Sequence, residues 1–354
     1  MSYFRFLFFP FAPFYGFVTL LYHKLYDWNI LKSKQFKLPV ICIGNLSTGG
    51  TGKTPLTEFI VNMLQTKYNI AVLSRGYNRK TKGFRLVDEK DTCIEAGDEP
   101  LQIKRKFKNH IVVAVDENRI HGIEQIIKLF PKTQLILLDD AFQHRSVKAG
   151  LSILLTSFQK PYYKDFMLPA GNLREFRAGS KRADVIIVSK TPVSSAQNEK
   201  EKITGKINSL PGQKILFSSL NHTLLKPLTP VADKQIQKID PLHHVLLFTG
   251  IADNTALVNY IKSYTENLSV IAFADHRNFS ESDVETIKMK FDSINHSHKI
   301  IITTEKDATR FYGNKLFEMI KSLPVYYLSV ETVFDDKDTA TLRKVIEDFV
   351  VTVS

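Results

Sequence analysis

Residues 38–57 constrain the fold of this chain more than any other stretch. Residues 40–43 form a short apolar run, bounded by Pro39 and Gly44, which predicts a strand buried on both faces. A helix is predicted next, because apolar residues recur at helical spacing at Leu56, Phe59, Ile60, Met63 and Leu64. Strand and helix are joined by residues 47–54, Ser-Thr-Gly-Gly-Thr-Gly-Lys-Thr. This order predicts a phosphate-binding loop in an α/β fold.

The loop has the residues that phosphate binding requires. Its glycines let backbone N–H groups close around phosphate oxygens at the N-terminus of the helix. Lys53 would reach the β- and γ-phosphates of a nucleotide, and the Thr54 hydroxyl would ligate Mg²⁺. The strict pattern has Gly where this chain has Ser47. A merely flexible connection would not need Lys-Thr at this offset, so we assign the nucleotide to Ser47, Thr48, Gly49, Gly50, Thr51, Gly52, Lys53 and Thr54.

Composition narrows the class of partner. The chain has 354 residues, the length of about two domains, and carries a formal net charge of +12. Such a charge favours an anionic partner, and nucleic acid, an acidic membrane surface and a phosphorylated substrate all qualify. The two cysteines, Cys42 and Cys93, form no metal-binding pattern, so a disulfide scaffold or a structural zinc site is not expected.

Residues 1–31 differ in character from the rest of the chain. No charged residue occurs between Phe6 and Tyr22, and the stretch is rich in aromatic residues. It is shorter than a membrane-spanning helix and is interrupted by Pro10, Pro13 and Gly16. We therefore expect an amphipathic segment that lies on a membrane surface, with packing on its own domain as the alternative.

Acidic and basic residues follow several predicted strands. Asp139 and Asp140 come directly after the apolar run 135–138, where an acid at the tip of a buried strand typically holds Mg²⁺. Asp98 lies in a turn ahead of an amphipathic helix, where an acid is commonly an N-cap. Residues 74–80, which include three basic residues, form either a solvated turn or a substrate loop. The pair Arg174-Glu175 is either a surface ion pair or part of a ligand site.

The spacing of the apolar runs predicts the domain organisation. A P-loop core with a mostly parallel sheet is expected over residues 32–190. Residues 191–241, rich in Ser, Lys, Gln and Pro, predict a linker with one weak strand near residues 215–217. Apolar runs then restart, which predicts a smaller α/β domain over residues 242–354.

Taken together, these motifs resemble those of the tetraacyldisaccharide 4'-kinase family, the lipid A 4'-kinases. The resemblance extends over nearly the whole chain and rests on these motifs: the phosphate loop without its first glycine, Ser-Arg-Gly-Tyr, Gly-Asp-Glu-Pro, Asp-Asp-Ala-Phe-Gln-His, Asn-Leu-Arg-Glu and Thr-Thr-Glu-Lys-Asp-Ala. The family usually has Gly where this chain has Ala141, a small change that could alter the turn after the two acids.

The resemblance implies an activity and a location. It implies transfer of the γ-phosphate of ATP to the 4'-hydroxyl of a tetraacylated glucosamine disaccharide 1-phosphate, with Mg²⁺. It also implies action at an anionic membrane surface, on the cytoplasmic face of a bacterial inner membrane. A monomer and no nucleic-acid partner are expected.

The resemblance also implies roles for individual residues. Asp98 would be the base that accepts the hydroxyl proton, paired with His276 from the second domain, while Lys53 stabilises charge. Asp139 and Asp140 would bind and position the metal with Thr54. Gln143 and Glu175 are further metal candidates. The lipid headgroup would be held by Arg75, Tyr77, Arg119, Asn172 and Arg174.

Two other classes of protein stay open on the residues alone. One is a P-loop switch or chaperone that hydrolyses nucleotide to change its affinity for a protein partner. The other is a nucleic-acid-dependent ATPase, which is suggested by the net charge of +12, although we find no usual recognition module. A switch needs neither a membrane-binding segment nor a base such as Asp98, so those two features favour the kinase.

Overall fold

The computed structural model describes residues 11–275 and 277–353, and these residues form one twelve-stranded sheet flanked by eleven α-helices. The strands are β1 (Val40–Asn45), β2 (Ile70–Ser74), β3 (Arg85–Leu86), β4 (Val112–Val115), β5 (Leu135–Asp139), β6 (Leu151–Ser157), β7 (Val185–Ser189), β8 (Lys214–Pro227), β9 (His244–Thr249), β10 (Leu268–Ala272), β11 (Lys299–Thr304) and β12 (Val325–Phe334). The helices are α1 (Ala12–Asp27), α2 (Lys53–Leu64), α3 (Cys93–Ala96), α4 (Asp98–Phe107), α5 (Arg119–Leu129), α6 (Gln197–Ile207), α7 (Thr255–Lys262), α8 (Glu281–Asp292), α9 (Glu305–Thr309), α10 (Lys315–Ile320) and α11 (Asp336–Val353).

The sheet is mostly parallel, which confirms the predicted fold class. Its strand order is β10-β9-β11-β12-β8-β7-β6-β1-β5-β2-β4-β3. The pairs β8–β12 and β3–β4 are antiparallel, and the other neighbouring strands are parallel. We call β1–β7 with α2–α6 the first lobe, and β9–β12 with α7–α10 the second lobe.

The centre of the first lobe places the phosphate loop. Strands β1, β2, β5 and β7 are buried along their whole length, as expected for parallel strands covered by helices on both faces. Helix α2 packs Leu56, Ile60 and Leu64 into the same core cluster as Ile41 and Ile43 of β1. The end of β1 and the start of α2 are therefore held rigidly on either side of the loop.

Residues 191–241 contain more regular secondary structure than the linker predicted from the sequence. They include helix α6 and the 14-residue strand β8, of which residues 215–217 were the expected part. The first four residues of β8 pair in parallel with β7, and the rest pairs with β12 of the second lobe. Strand β8 therefore joins the two lobes into a continuous sheet.

The last helix returns to the first lobe. Leu342, Ile346 and Val350 of α11 belong to the core cluster around β1, β6 and β7, although they follow the second lobe in sequence. A Cβ atom on Gly150 would approach the Phe349 ring within 2.4 Å, so α11 packs closely against the turn before β6. The C-terminal helix thus ties the lobes together a second time, whereas the boundaries 32–190, 191–241 and 242–354 stay a prediction.

Helix α1 has a packed face and an exposed apolar face. Gly16 lies against the Phe176 ring, and the Tyr15 hydroxyl donates to the Arg174 carbonyl at 3.1 Å. On the other face Phe14 and Phe17 are 73% and 62% exposed. In the described part of the chain no helix combines the length and the apolar character needed to cross a membrane. Residues 1–10 of the expected amphipathic segment lie outside the described residues.

Candidate active site

The conformation of the phosphate loop is fixed by hydrogen bonds near its start and in its middle. The Thr48 amide donates to the Asn172 carbonyl at 2.7 Å, and Asn45 Nδ2 donates to Thr51 Oγ1 at 2.9 Å. Ser189 Oγ, at the end of β7, donates to the Thr51 carbonyl at 2.6 Å. Gly49 has a φ of 102°, a conformation that favours glycine. Its backbone faces open space where a phosphate can approach.

Helix α2 begins directly after the loop and presents its N-terminus to the same space. Its N-cap residue, Gly52, is left-handed with a φ of 87° and has no side chain with which to bond the first N–H groups of the helix. Those groups and the helix dipole favour an anion. The Lys53 ammonium lies 3.6 Å from Asp140 Oδ1 and so brings a positive charge to the loop.

The acid pair lies beside the loop because β5 is the parallel neighbour of β1, with Asp139 opposite Ile43. Asp139 is buried, and Thr57 Oγ1 donates to its Oδ1 at 3.0 Å. Burial raises the pKa of Asp139 to about 6; Asp140 and Glu99 add to this shift, and Lys53 opposes it. The pKa of Asp140 is lowered, since Lys53 and Arg174 outweigh the effect of burial.

Arg174 and Glu175 lie in a network next to the acids and not in a simple surface ion pair. Arg174 Nη1 donates to Asp140 Oδ1 at 3.0 Å. Glu175 is buried and accepts from Gln143 Nε2 at 2.9 Å and from Arg182 Nη2 at 2.7 Å. His23 Nε2 of α1 lies 3.3 Å from the same carboxylate. The network therefore connects α1 to the edge of the site, and metal binding by Gln143 and Glu175 stays a prediction.

The expected substrate residues have different environments. Arg75 and Tyr77 are exposed in the turn after β2. Asn172 Nδ2 donates to Asp165 Oδ2 at 3.0 Å, so its side chain orders the loop that supports the phosphate loop. Arg119 is buried; its Nη1 donates to the Asp116 carbonyl, while its Nε and Nη2 have no hydrogen-bond partner within the described residues. Burial and Arg75 lower the pKa of Arg119 to about 10, although Asp139 and Asp140 oppose this. Two buried N–H donors without a partner are the kind of group that an anion would satisfy.

Asp98 is the first residue of α4, and Gly97 takes the cap position with a φ of 91°. The Asp98 carboxylate receives two bonds from the second lobe, from Arg310 Nε at 3.0 Å and from Arg310 Nη2 at 2.6 Å. His276, the expected partner of Asp98, lies outside the described residues. A second-lobe residue is therefore bonded to the candidate base, but it is an arginine that sequence reasoning missed.

Other site residues were missed for identifiable reasons. Thr57 and Glu58 lie on α2, beside the apolar stripe that predicted the helix. A polar residue next to such a stripe is usually exposed, so there was little indication in the sequence that these two are buried. The motif Thr-Thr-Glu-Lys-Asp-Ala at residues 303–308 contributed to the family resemblance, but Arg310, two residues further, was not singled out. The opposite charges of Asp307 and Arg310, three residues apart, could have suggested it.

The residues around the acid pair fit Mg²⁺ better than a metal enclosed by protein ligands. Within residues 11–275 and 277–353 no cluster of three or more His, Cys, Asp and Glu side chains could hold a metal ion. Mg²⁺ typically binds one or two carboxylates and completes its shell with water and substrate phosphates. Asp139, with Thr54 at the start of the facing helix, supplies that kind of donor set.

The fold and these contacts together define a P-loop nucleotide-binding protein, a class in which the loop and the start of the following helix bind nucleotide phosphates. Comparison with known proteins identifies its family. The sequence model described as tetraacyldisaccharide-1-P 4'-kinase (LpxK) matches residues 4–349, and the chain belongs to this family.

Curated relatives and a solved structure agree with this assignment. The chain is 44% identical over 333 residues to tetraacyldisaccharide 4'-kinase of Bacteroides thetaiotaomicron, covering 91% of this chain and 87% of that one. It is 42% identical to the Flavobacterium johnsoniae enzyme of the same name, covering 94% of each chain. A crystal structure of "apo" form LpxK from Aquifex aeolicus in complex with ATP superposes with a TM-score of 0.74 at 28% identity, covering 98% of this chain and 99% of that one.

Proposed function

We propose that this protein transfers the γ-phosphate of ATP to the 4'-hydroxyl of tetraacyldisaccharide 1-phosphate and so forms the lipid A precursor lipid IVA. The observation that carries the proposal is the placement of Lys53 and Asp140 3.6 Å apart at the phosphate loop, where β5 pairs directly with β1. Such a site would bind the nucleotide phosphates, and Asp98 at the start of α4 would meet the substrate hydroxyl. Family membership supplies the identity of that hydroxyl.

Each part of the loop would have a separate role in the transfer. Backbone N–H groups of residues 47–54 would bind the β- and γ-phosphates, and Lys53 would stabilise charge on the transferred group. Thr54 and Asp139 would hold Mg²⁺, with Asp140 positioned by Lys53 and Arg174. Bound Mg²⁺ supplies charge neutralisation on the phosphates.

Asp98 would accept the proton of the 4'-hydroxyl. Phosphoryl transfer needs mainly positioning and charge neutralisation, so a carboxylate that accepts the proton late is sufficient. His276 would assist Asp98 from the second lobe. Closure of that lobe over the site would exclude water and limit ATP hydrolysis.

The anionic headgroup would lie next to Arg119, whose two buried N–H donors without a described partner favour an anion. Arg75 and Tyr77 would contact it from the exposed turn after β2. Arg174 and Asn172 would act mainly through Asp140 and the phosphate loop, because their observed contacts are made there.

The enzyme would work as a monomer on the cytoplasmic face of the inner membrane, with α1 on the lipid surface. The exposed apolar face of α1 and the net charge of +12 both favour an anionic bilayer. Because α1 packs on Arg174 and Glu175, the lipid surface would lie next to the headgroup site.

The test of the activity follows label from γ-labelled ATP into tetraacyldisaccharide 1-phosphate in mixed micelles. We expect labelled lipid with the wild type and a loss of about 10²–10⁴-fold in Asp98→Ala. Asp292→Ala, which removes an exposed acid on α8, is the matched control and should transfer label normally. Release of phosphate to water without labelled lipid would contradict the proposal and favour a P-loop switch.

The test of the membrane role uses Phe14→Ser with Phe17→Ser. Sedimentation with anionic vesicles should weaken, because the exposed apolar area of α1 is lost. Leu129→Ser, at an exposed apolar position on α5, is the control for a general loss of hydrophobicity. Equal vesicle binding by the double variant and the wild type would contradict a role for α1.

A further inference from the structure

We propose that Arg310 is a positioning residue, supplied by the second lobe, that fixes the Asp98 carboxylate in the orientation from which it accepts the substrate proton. This inference rests on the proposed function, since Asp98 has this task only if a hydroxyl is phosphorylated. It goes beyond that function by assigning a role to a residue that lies 212 positions away from Asp98 in sequence.

Arg310 is held rigidly within its own lobe. Its Nη1 donates to Asp307 Oδ1 at 2.7 Å and to the Gly250 carbonyl at 3.2 Å. Asp307 is fully buried and also accepts from the Gly250 amide at 3.0 Å and from Thr304 Oγ1 at 2.7 Å. A Cβ atom on Gly250 would lie 3.1 Å from both Arg310 Nη1 and Asp307 Oδ1, so the site has little room for movement. The Arg310 side chain is therefore held in place by its own lobe while its guanidinium contacts Asp98 of the first lobe.

The contact with Asp98 is directional. Arg310 Nε and Nη2 both donate to Oδ2, at 3.0 Å and 2.6 Å. Both bonds go to the same oxygen, so this contact anchors Oδ2 and does not involve Oδ1. We assign proton acceptance to Oδ1. The residue before Asp98 packs on the exposed turn after β2, because a Cβ on Gly97 would lie 3.1 Å from the Tyr77 carbonyl.

The same lobe contact continues along one face of α4. Lys306 Nζ lies 2.8 Å from Glu99 Oε1, and Arg105 Nη1 donates to the Thr309 carbonyl at 2.9 Å. Helix α9 of the second lobe therefore runs along α4 of the first lobe through polar contacts. Such contacts let the position of the second lobe determine the orientation of Asp98.

The proton and the electrons balance in the step that Arg310 supports. The 4'-oxygen forms a bond to the γ-phosphorus as the bond from that phosphorus to the β–γ bridging oxygen breaks, and ADP leaves with that electron pair. The hydroxyl proton passes to Asp98 Oδ1 and is later released to water. Arg310 touches none of the reacting atoms and acts through the geometry of Asp98, where a small misplacement can cost about 10²-fold in rate.

The test is a double-mutant cycle on Asp98 and Arg310. We would measure kcat, the KM for ATP and the KM for the lipid in the wild type, Arg310→Met, Asp98→Ala and the double variant, with thermal midpoints for each. Arg310→Met should lower kcat by about 10–100-fold while the KM for ATP changes little. In the Asp98→Ala background it should cause almost no further loss, because the carboxylate it positions is absent. Arg310→Lys should recover part of kcat.

Controls separate positioning from a structural role and from failure of the proposed function. Arg105→Met removes another α4–α9 contact without touching Asp98, and we expect it to lower the thermal midpoint while kcat stays within about threefold. Equal fold-losses from Arg310→Met with and without Asp98 would overturn the inference, as would normal kcat in a folded Arg310→Met. Absence of labelled lipid with the wild type would refute the function itself, and near-normal transfer by Asp98→Ala would refute both the base and its positioning.

Discussion

The buried carboxylate of Glu58 provides a quantitative test of the structure. Glu58 lies on α2, one turn after Thr54, and is 2% exposed. It accepts from Lys106 Nζ at 2.6 Å and from Gln102 Nε2 at 2.8 Å, and Gln102 Nε2 also lies 3.4 Å from Glu305 Oε2 of the second lobe. The cluster thus connects the helix of the phosphate loop to α4 and to α9.

The magnitude of the effect follows from the pKa of Glu58. Burial raises this pKa from 4.5 to about 7; Lys106 opposes the shift and Glu305 adds to it. The folded protein therefore binds a proton at Glu58 more tightly than the unfolded chain does. Its contribution to stability is fully present below pH 4.5 and is lost as the pH rises through about 7. A shift of this size corresponds to about 3 kcal/mol.

Glu58→Gln tests this value, because Gln keeps the shape and one hydrogen-bond acceptor but does not titrate. We expect the unfolding free energy of the wild type, relative to that of Glu58→Gln, to fall by about 3 kcal/mol between pH 4.5 and about 7.5. Urea unfolding followed by far-UV circular dichroism at several pH values would measure the difference. Glu285→Gln, at an exposed position on α8, is the control. A difference between wild type and Glu58→Gln that does not change with pH would show that the pKa of Glu58 is not raised in the folded protein.

Three further predictions concern the acid pair and the loop. Lys53→Ala should lower turnover by about 10³-fold through lost charge stabilisation, and near-normal phosphate transfer in that variant would contradict the phosphate-loop assignment. Thr57→Val should destabilise the protein by about 1.5–3 kcal/mol, because buried Asp139 loses a hydrogen bond; Thr57→Ser, measured beside it by urea unfolding, should lose much less. Burial, together with Arg119 and Arg75, lowers the pKa of His144 to about 4. The stability that neutral His144 contributes is therefore fully present above pH 6.5 and is lost as the pH falls towards 4. In His144→Gln the loss of unfolding free energy between pH 6.5 and pH 4 should be smaller by about 3 kcal/mol in the same unfolding assay. An unchanged loss would show that the pKa of His144 is not lowered in the folded protein.

Local sequence patterns predicted the strands and the phosphate loop well. The apolar runs at residues 40–43 and 135–138 lie in β1 and β5, which are longer than predicted by two residues and one residue. Buried parallel strands are nearly all apolar, which makes them easy to read. The loop at residues 47–54 was equally visible, since glycines, Lys53 and Thr54 are adjacent in sequence.

Features that depend on contacts between residues far apart in sequence could not be predicted from local patterns. Strand β8 continues to Pro227 through polar residues, because its second half pairs antiparallel with β12, and much of this part is not fully buried. Helix α11 has an ordinary apolar stripe, and nothing in that stripe indicates that it packs on the first lobe. The bond between Asp98 and Arg310 joins residues 212 positions apart and has no local signal.

The position of the transferred phosphate distinguishes a lipid 4'-kinase from other enzymes that consume ATP. The wild-type protein would be incubated with ATP, Mg²⁺ and tetraacyldisaccharide 1-phosphate, and the purified lipid product examined by phosphorus NMR and mass spectrometry. We expect a second phosphomonoester, on the 4'-oxygen of the disaccharide. A lipid that keeps its single phosphate while ATP is hydrolysed, or one phosphorylated at another hydroxyl, would contradict the proposed 4'-kinase activity.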